Sequence, residues 1–470
     1  MGVCGVEFTG RTHGSGTTAR VTTQPPPPPD STPDRPPART SAASPHPGAA
    51  LSRTLGLGDA VIIGLGSMIG AGIFAALAPA TAEAGSWVFL ALALAALVAY
   101  CNATSSAQLA AQYPTSGGTY AYARAQLNPS LGLVAGWGFV IGKTASTAAM
   151  ALTFAAYAAG EAWQKPLAVL ALLAITTVNT LGISKTARMT RWIVLSVLAI
   201  LGVLLAVIAA GDEFSFGVIS SAASRIDASG NLVVPAGFNL FGVLQAAGIL
   251  FFAFAGYARI ATLGEEVREP RRTIPRAIIT ALAITAALYA VIAVAVMGVL
   301  GPAQLAQSAV PLAEAVGRST WAQALVRVGA ALACLGALLG LAAGLGRTIF
   351  AMARDSRHFG FLAHVGERFR TPARAEFLVC AAAVVLVLLG DIRQAIGFSS
   401  FGVLVYYAIT NITAFTQTGA QRLYPRVLQV LGLVLCLLLA FTVSGQAVLV
   451  GAVLFVVIAA VVLVLRRRSP

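Results

Sequence analysis

The sequence has little charge. Only 10% of its 470 residues are Asp, Glu, Lys or Arg, whereas about a quarter of the residues in a typical soluble protein are charged. Hydrophobic residues make up 57% of the chain, and so few charged side chains cannot cover the surface of a soluble fold. The composition therefore excludes soluble classes and predicts that lipid is the solvent for most of the chain.

Histidine and cysteine are also scarce, which limits the chemistry that the chain can carry. The four histidines lie in the N-terminal tail or in one loop, so none is at membrane depth. Four of the five cysteines stand singly within apolar segments, without the spacing of metal ligands or of a disulfide framework. We therefore predict no intramembrane enzyme, no metal site and no cofactor.

Basic residues are not scarce, and the formal net charge is +14. Most Lys and Arg residues fall in the N-terminal tail, in alternate loops and at the C-terminus. This asymmetry follows the positive-inside rule rather than the pattern of a nucleic-acid footprint. It predicts a multi-pass protein of the cell membrane with both termini in the cytoplasm and no nucleic-acid partner.

The chain divides into a polar tail and a long apolar region. Residues 1–50 are rich in Pro, Ser, Thr and Arg, a composition that cannot bury a core and predicts a disordered cytoplasmic tail. From Leu57 onward, apolar segments of spanning length alternate with short loops. We predict twelve transmembrane helices, at residues 57–82, 86–111, 131–160, 167–183, 189–210, 239–263, 275–300, 322–352, 376–390, 394–417, 427–443 and 446–465.

Glycines interrupt the first predicted span. Four of them fall within nine residues, from Gly64 to Gly72, and each weakens a helix by about 1 kcal/mol relative to Ala. A break at membrane depth gives two half-helices, and the N-terminus of the second offers free N–H groups that suit a carboxylate. Close helix packing through small residues is the alternative interpretation.

The sixth predicted span has a related segment, from Phe251 to Arg259, with one glycine among aromatic residues. A break here would free carbonyl groups that can accept hydrogen bonds from an ammonium, although an ordinary aromatic-lined helix is the alternative. Spans one and six each begin a set of five helices. Interrupted helices at matching positions indicate a binding site near the bilayer midplane.

Two basic residues lie inside apolar segments. Lys143 falls near the midplane of the third span, where an ionisable group is a functional hypothesis by default. It could titrate, pair with a substrate carboxylate or stand in for a bound cation, or it could donate to the carbonyls of a broken helix for structure alone. Arg259 lies near the cytoplasmic end of span six, where snorkelling to the interface is expected.

Four blocks of the sequence match a known family: Gly66 to Phe74, Pro114 to Tyr122 with Gly136 and Trp137, Phe251 to Pro275, and Arg347 to Asp355 with Thr371 and Pro372. Each block alone is weakly specific, and their joint order and spacing carry the resemblance over residues 55–420 or so. Taken together, they resemble the amino acid–polyamine–organocation (APC) superfamily of permeases, and the branch of bacterial proteins similar to cationic amino acid transporters.

The resemblance implies an all-α integral membrane protein with the LeuT-type fold. Its first five-helix repeat would occupy residues 51–210, its inverted second repeat residues 239–417, and two additional helices residues 427–465. It also implies alternating access around a site between helices one, three, six, eight and ten. The amino acid substrate and the lipid bilayer are then the expected partners.

The resemblance also implies site residues. Backbone N–H groups of the first span would bind the substrate carboxylate, at Ser67, Met68, Ile69, Gly70, Ala71 and Gly72. The break in span six would bind the ammonium through carbonyl groups and cover the site with aromatic rings, at Phe252, Ala253, Phe254, Ala255, Gly256 and Tyr257. Further candidates for the pocket or for coupling are Lys143, Ser146, Thr147, Met150 and Arg259.

Departures from the family pattern bear on substrate and coupling. Many relatives have an acidic residue where this chain has Ala258, and relatives of the cationic type often have Glu where it has Gly142. The stretch Leu195–Val197 lacks the Lys of some proton-coupled relatives, and the chain between Ala330 and Arg347 has no hydroxyl side chain for sodium.

We therefore expect a secondary transporter, a permease or an exchanger, for an uncharged rather than a cationic amino acid. A cationic amino acid or polyamine permease is an alternative, and so is a sensor of the same fold that binds without translocating. The coupling ion (proton, sodium or none) and the choice between uptake, efflux and exchange stay open, with proton coupling or exchange as one possibility.

Overall fold

The computed structural model describes residues 53–115, 117–182, 187–219, 237–354, 360–364, 371–443 and 445–467. The predicted tail, residues 1–50, lies outside this part, as do Ser116 and Asp355 of the matching motifs. The described chain is almost entirely helical and contains no β-strand. Its one extended pairing is an isolated bridge between Leu55 and Val267. The predicted all-α class is confirmed.

Eighteen α-helices and five short 3₁₀ segments make up the described chain, and each of the twelve predicted spans coincides with at least one α-helix. The α-helices are α1 (Leu57–Met68), α2 (Ala71–Ala75), α3 (Leu77–Ala84), α4 (Val88–Gln112), α5 (Gly118–Gln126), α6 (Pro129–Ala158), α7 (Gln164–Thr180), α8 (Ala187–Ala210), α9 (Phe216–Ile219), α10 (Leu240–Phe254), α11 (Ala258–Ala261), α12 (Pro270–Gln307), α13 (Pro311–Glu314), α14 (Thr320–Arg354), α15 (Ala373–Leu389), α16 (Ile392–Phe415), α17 (Arg426–Thr442) and α18 (Gly445–Arg467). The 3₁₀ segments are Gly85–Trp87, Glu161–Trp163, Ala255–Tyr257, Gly360–Ala363 and Gly419–Gln421.

Eight helices of the described chain are long and apolar enough to cross a membrane, and a ninth is added if α17 and α18 form one bent span. The helices α7 and α15 have 17 residues each, which is about 26 Å of helix against a hydrocarbon core of roughly 30 Å. The chain is a multi-pass membrane protein. The number of twelve spans stays a prediction.

Local capping explains where three of the long helices begin. The side chain of Asn128 accepts a hydrogen bond from the N–H of Leu131 and starts α6, with a proline directly after it. Asn239 starts α10 and Asp391 starts α16 in the same way. These polar caps at the ends of apolar segments fix the register of the helices that surround the site.

The helices α6, α10 and α16 form the centre of the molecule, because each buries more than two thirds of its most apolar stretch. The helix α8 buries only 33% of that stretch and turns the rest outward. In α6 and α16 this close packing depends on glycine. A Cβ atom added to Gly402 would lie 2.8 Å from the Cα atom of Gly142.

Candidate functional site

The first span is interrupted within its glycine-rich segment, as predicted. The helix α1 ends at Met68 and α2 begins at Ala71, and the backbone of Ile69 and Gly70 between them is not helical. The N–H of Gly70 donates to the carbonyl of Met68 at 2.9 Å and closes a tight turn. The chain thus stops and restarts a helix deep inside the molecule.

The sixth span is interrupted more mildly. The helix α10 ends at Phe254, the segment Ala255–Tyr257 tightens to a 3₁₀ turn, and α11 then begins at Ala258. The backbone angles of this segment stay close to helical values, so the change lies in the hydrogen-bond pattern rather than in the direction of the chain. The segment from Phe251 to Arg259 contains one glycine, compared with four from Gly64 to Gly72, and this difference agrees with the smaller break.

The two interruptions are in direct contact. A Cβ atom on Gly256 would lie 2.3 Å from the carbonyl oxygen of Ser67 and 2.6 Å from the nitrogen of Met68. A Cβ atom on Gly72 would lie 2.6 Å from the Cα atom of Ala253. Because only glycine permits such close approach of two backbones, both glycines are needed for packing. The structure therefore brings together two segments more than 180 residues apart in sequence.

Tyr289 of α12 joins the two interruptions and was missed by the sequence reasoning. Its side chain is 1% exposed, and its hydroxyl lies 2.6 Å from the carbonyl oxygen of Met68 and 3.1 Å from that of Ala253. The hydroxyl carries one proton, so it donates to one of these carbonyls at a time. A buried tyrosine in an otherwise aliphatic span was the signal available in the sequence.

The hydrogen bonds of the first break decide which N–H groups are available to a ligand. The N–H of Ile69 donates to the carbonyl of Leu65, and that of Gly70 donates to Met68. Ser67 and Met68 lie within α1. The first turn of α2 leaves Ala71, Gly72 and Ile73 without acceptors inside their own helix. Of the predicted carboxylate donors Ser67–Gly72, only Ala71 and Gly72 therefore have N–H groups without an acceptor in their own helix. Ile73, which lies outside the predicted range, has such an N–H group as well.

The carbonyl groups of the second break already have donors. The carbonyl of Phe252 accepts the N–H of Ala255, and that of Ala253 lies within reach of the Tyr289 hydroxyl. The carbonyl of Ala255 accepts a hydrogen bond from the ammonium of Lys143 at 3.0 Å. An ammonium of the chain itself therefore occupies one of the acceptors predicted for a ligand.

Lys143 reaches the second break from α6. Its side chain is 6% exposed, and the Ala255 carbonyl is its one hydrogen-bond partner among the described residues. None of the ion pairs within the described ranges includes it. Of the roles open in the sequence, donation to a carbonyl of the broken helix is the contact observed. An ammonium has three N–H donors, so further donors remain for a ligand.

The other candidates on α6 divide between two faces. The methyl group of Met150 lies 3.7 Å from the position of a Cβ atom on Gly70, so Met150 reaches the first break. The hydroxyl of Ser146 lies 2.6 Å from that of Ser399 on α16, and Thr147 donates to Thr144 of its own helix. Ser146 therefore connects α6 with α16, Thr147 bonds within α6, and Met150 faces the first break.

The aromatic candidates of span six are buried, and two of them make ring contacts. The ring of Phe254 lies 5.2 Å from that of Tyr289, and the ring of Tyr257 lies 5.3 Å from that of Tyr407 on α16. Phe252 is 7% exposed. Arg259 lies beyond the break in α11, and its guanidinium donates to the hydroxyl of Thr262 at 3.3 Å. Arg259 therefore points away from the break.

A small cleft lies beside the first break, between α1, α8 and α14. A hydroxyl group is present in its lining only at Thr190, and only Val197 of the stretch Leu195–Val197 contributes to it. Within the described residues, no group of three His, Cys, Asp or Glu side chains is placed to hold a metal ion. The cleft is lined by Gly66, Ile69, Thr190, Ile193, Val194, Val197, Ala333 and Gly336.

The position of Gly142 explains why it carries no side chain. An added Cβ atom would lie 2.9 Å from the backbone nitrogen of Val403 and 3.1 Å from the carbonyl carbon of Gly402. A glutamate at this position would require α6 and α16 to separate. Glycine at position 142 is therefore required for the packing of α6 against α16. It also leaves the site without an acidic side chain at this position.

Comparison with known proteins places these features in context. A family model described as amino acid permease matches residues 55–469. A protein of Mycobacterium tuberculosis named as an uncharacterized transporter is 53% identical over 404 residues, covering 86% of this chain and 89% of that protein.

Two other relatives have names that give a substrate. A branched-chain amino acid permease of Bacillus subtilis is 25% identical, covering 80% of this chain and 83% of that protein. A vacuolar cationic amino acid transporter of Arabidopsis thaliana is 27% identical, covering 79% of this chain and 61% of that protein.

Proposed function

Because the chain belongs to the amino acid permease family, we propose that it is a secondary transporter that moves an amino acid with an uncharged side chain across the cell membrane. The contact between the two interrupted spans carries this proposal. Helix breaks at corresponding positions, which here pack backbone to backbone at Gly256 and Gly72, are typical of the midplane binding site in transporters built from inverted repeats.

The site combines groups of opposite polarity that suit a zwitterion. Free N–H groups at Ala71, Gly72 and Ile73, at the start of α2, favour a carboxylate. Carbonyl oxygens of the segment Phe252–Ala255 favour an ammonium, and each such oxygen has two lone pairs, so those already bonded can accept a second donor. We propose that Met150 and the aromatic rings of span six line the space for the side chain.

Two positions without an acidic residue favour a substrate with an uncharged side chain. Ala258 follows the Gly-Tyr pair of the second break, so no carboxylate is present there to bind a cationic group. At Gly142, packing against Val403 leaves no room for an acidic side chain. The relative named as a branched-chain amino acid permease agrees with this substrate class, and the one named as a cationic amino acid transporter keeps a cationic substrate as the second candidate.

The architecture proposed with this function has two inverted repeats of five helices, over residues 51–210 and 239–417, and two further helices over residues 427–465. Both termini lie in the cytoplasm. The interruption of the first span and that of the sixth, each in the opening span of its repeat, support the division. The accumulation of Lys and Arg in alternate loops supports the orientation.

Coupling by protons or exchange is proposed rather than coupling by sodium. The cleft between α1, α8 and α14 offers apolar side chains and the single hydroxyl of Thr190. A sodium ion is a hard cation that favours several oxygen ligands, and the chain between Ala330 and Arg347 supplies no hydroxyl for one.

Uptake by the purified protein in liposomes tests the function. We expect labelled leucine to enter, unlabelled uncharged amino acids to compete with it, and replacement of sodium by choline to leave the rate unchanged. Runs with and without a pH gradient, and with amino acid loaded inside, separate proton coupling from exchange. Protein-free liposomes are the control.

Failure of every amino acid to move or compete would reject transport. Binding of leucine without uptake or counterflow would instead support the sensor. Dependence of uptake on sodium would contradict the proposed coupling.

A further inference from the structure

The buried ammonium of Lys143 is the one charged group that touches either helix break among the contacts of the described residues. It belongs to α6, and its Nζ atom lies 3.0 Å from the carbonyl oxygen of Ala255, the first residue of the 3₁₀ turn. The next residue, Gly256, lies against the carbonyl of Ser67 in the first break. Lys143 therefore reaches the segment in which the two broken spans meet.

Nothing described near Lys143 balances its charge. Its side chain is 6% exposed, and the ion pairs of the described chain join other residues: Arg191 with Asp59, Arg272 with Glu269 and Arg347 with Glu266. A carbonyl is a dipole, so it stabilises the ammonium without neutralising it. The field of a buried, unbalanced charge is screened little by salt.

We propose that protonated Lys143 determines the charge selectivity of the site: its positive charge excludes substrates with a cationic side chain. Lys143 is then a specificity-determining residue, and this inference rests on the proposed transport of amino acids. A cationic side chain bound at the break meets a like charge, whereas an uncharged one of the same shape does not. Two unit charges about 12 Å apart, at an effective dielectric constant of about 20, change an equilibrium constant roughly tenfold.

A pair of competitors that differ only in charge gives the first measurement. Norleucine and lysine have the same carbon chain, and lysine adds an ammonium at its end. In liposomes that contain the wild-type protein, we expect norleucine to inhibit the uptake of labelled leucine at a concentration at least about tenfold lower than lysine does. Equal inhibition by lysine overturns the proposal without the need for a variant.

Variants at Lys143 separate charge from structure. Lys143→Met keeps an unbranched side chain, one atom shorter, and removes the charge, and Lys143→Gln keeps a hydrogen-bond donor without charge. In both variants, we expect the ratio of the inhibitory concentration of lysine to that of norleucine to fall roughly tenfold, whatever the effect on the overall rate of uptake. Lys143→Arg keeps charge and donor and should retain the wild-type ratio.

A matched control exists in Lys165→Gln. The Nζ atom of Lys165 also donates to a backbone carbonyl, that of Leu388, at 3.0 Å, but this lysine is exposed. This control should keep the wild-type ratio and rate.

An active Lys143→Met or Lys143→Gln protein with the wild-type ratio would show that Lys143 only holds the break, and would overturn the proposal. Should both neutral variants fail to fold, equal inhibition by lysine and norleucine in the wild-type protein would still overturn it. Absence of leucine uptake by the wild-type protein is a failure of the proposed function itself, which distinguishes the two.

Discussion

At the scale of single residues, one hydroxyl group links the two interrupted helices. Tyr289 lies on α12, outside both breaks, yet its oxygen is within hydrogen-bond distance of Met68 in the first break and Ala253 in the second. Buried carbonyls without a donor cost free energy. Tyr289 therefore stabilises the arrangement in which both breaks are closed against each other.

Removing this hydroxyl should weaken the protein without disturbing its packing. Tyr289→Phe keeps the ring that contacts Phe254 and removes the hydroxyl donor shared by the carbonyls of Met68 and Ala253, which should lower the free energy of unfolding by about 0.5–1.5 kcal/mol. The measurement is the melting temperature in detergent, together with leucine uptake, and both should fall. Tyr100→Phe is the control, because Tyr100 is 40% exposed. A Tyr289→Phe protein as stable and active as this control contradicts the assigned role.

At the scale of elements, the two broken spans behave as one packed unit rather than as two flexible segments. Glycine at position 256 allows the 3₁₀ turn to lie on the backbone of Ser67, and glycine at position 72 allows α2 to lie on Ala253. Substitution at these positions tests helix packing before it tests ligand binding. A bulky residue at Gly72 would thus report on both at once.

The smallest side chain is enough for a test of this packing. Gly256→Ala places a Cβ atom 2.3 Å from the carbonyl oxygen of Ser67, so α1 and α10 must separate. We expect loss of the monodisperse peak in size-exclusion chromatography or a clearly lower melting temperature. Gly202→Ala on α8 has nothing within 4 Å of the added atom and should be neutral or stabilising by about 1 kcal/mol. Indistinguishable behaviour of the two variants would contradict the close contact.

At the scale of the whole molecule, orientation follows from the distribution of basic residues and can be tested with single cysteines. Trp163 precedes α7 and is 69% exposed, and Phe361 follows α14 and is 60% exposed. The proposed topology places Trp163 outside the cell and Phe361 in the cytoplasm. The four cysteines of the described chain are buried, so they should not react.

A membrane-impermeant maleimide should therefore distinguish the two positions. In a Cys4→Ser background, intact cells should label Trp163→Cys but not Phe361→Cys, and permeabilised cells should label both. The background without an added cysteine is the control. Labelling of only Phe361→Cys in intact cells would show that the orientation is the reverse of the proposed one. Labelling of both in intact cells would contradict the odd number of spans proposed between the two positions.

The sequence predicted the class of protein and the positions of both interruptions, because apolar length and glycine content act locally. The ligand-binding roles of the predicted site residues stay predictions, and the structure shows their contacts within the chain. Within the predicted carboxylate-binding range Ser67–Gly72, the N–H groups of Ile69 and Gly70 already donate to carbonyl groups of the chain at the break itself. The pocket candidate Ser146 instead pairs with Ser399 on α16, a partner 253 residues away. A side chain's partner on another helix is not encoded in local pattern.

The sequence by itself therefore determined that the chain lies in lipid, which family it resembles, and where two of its helices break. Each of these depends on residues that are neighbours in the chain. Only the tertiary structure decided that the breaks touch, that Tyr289 reaches both, and that Lys143 donates to the carbonyl of Ala255, 112 residues away. These contacts depend on how the helices pack, and packing is settled by the whole set of side chains rather than by any one segment.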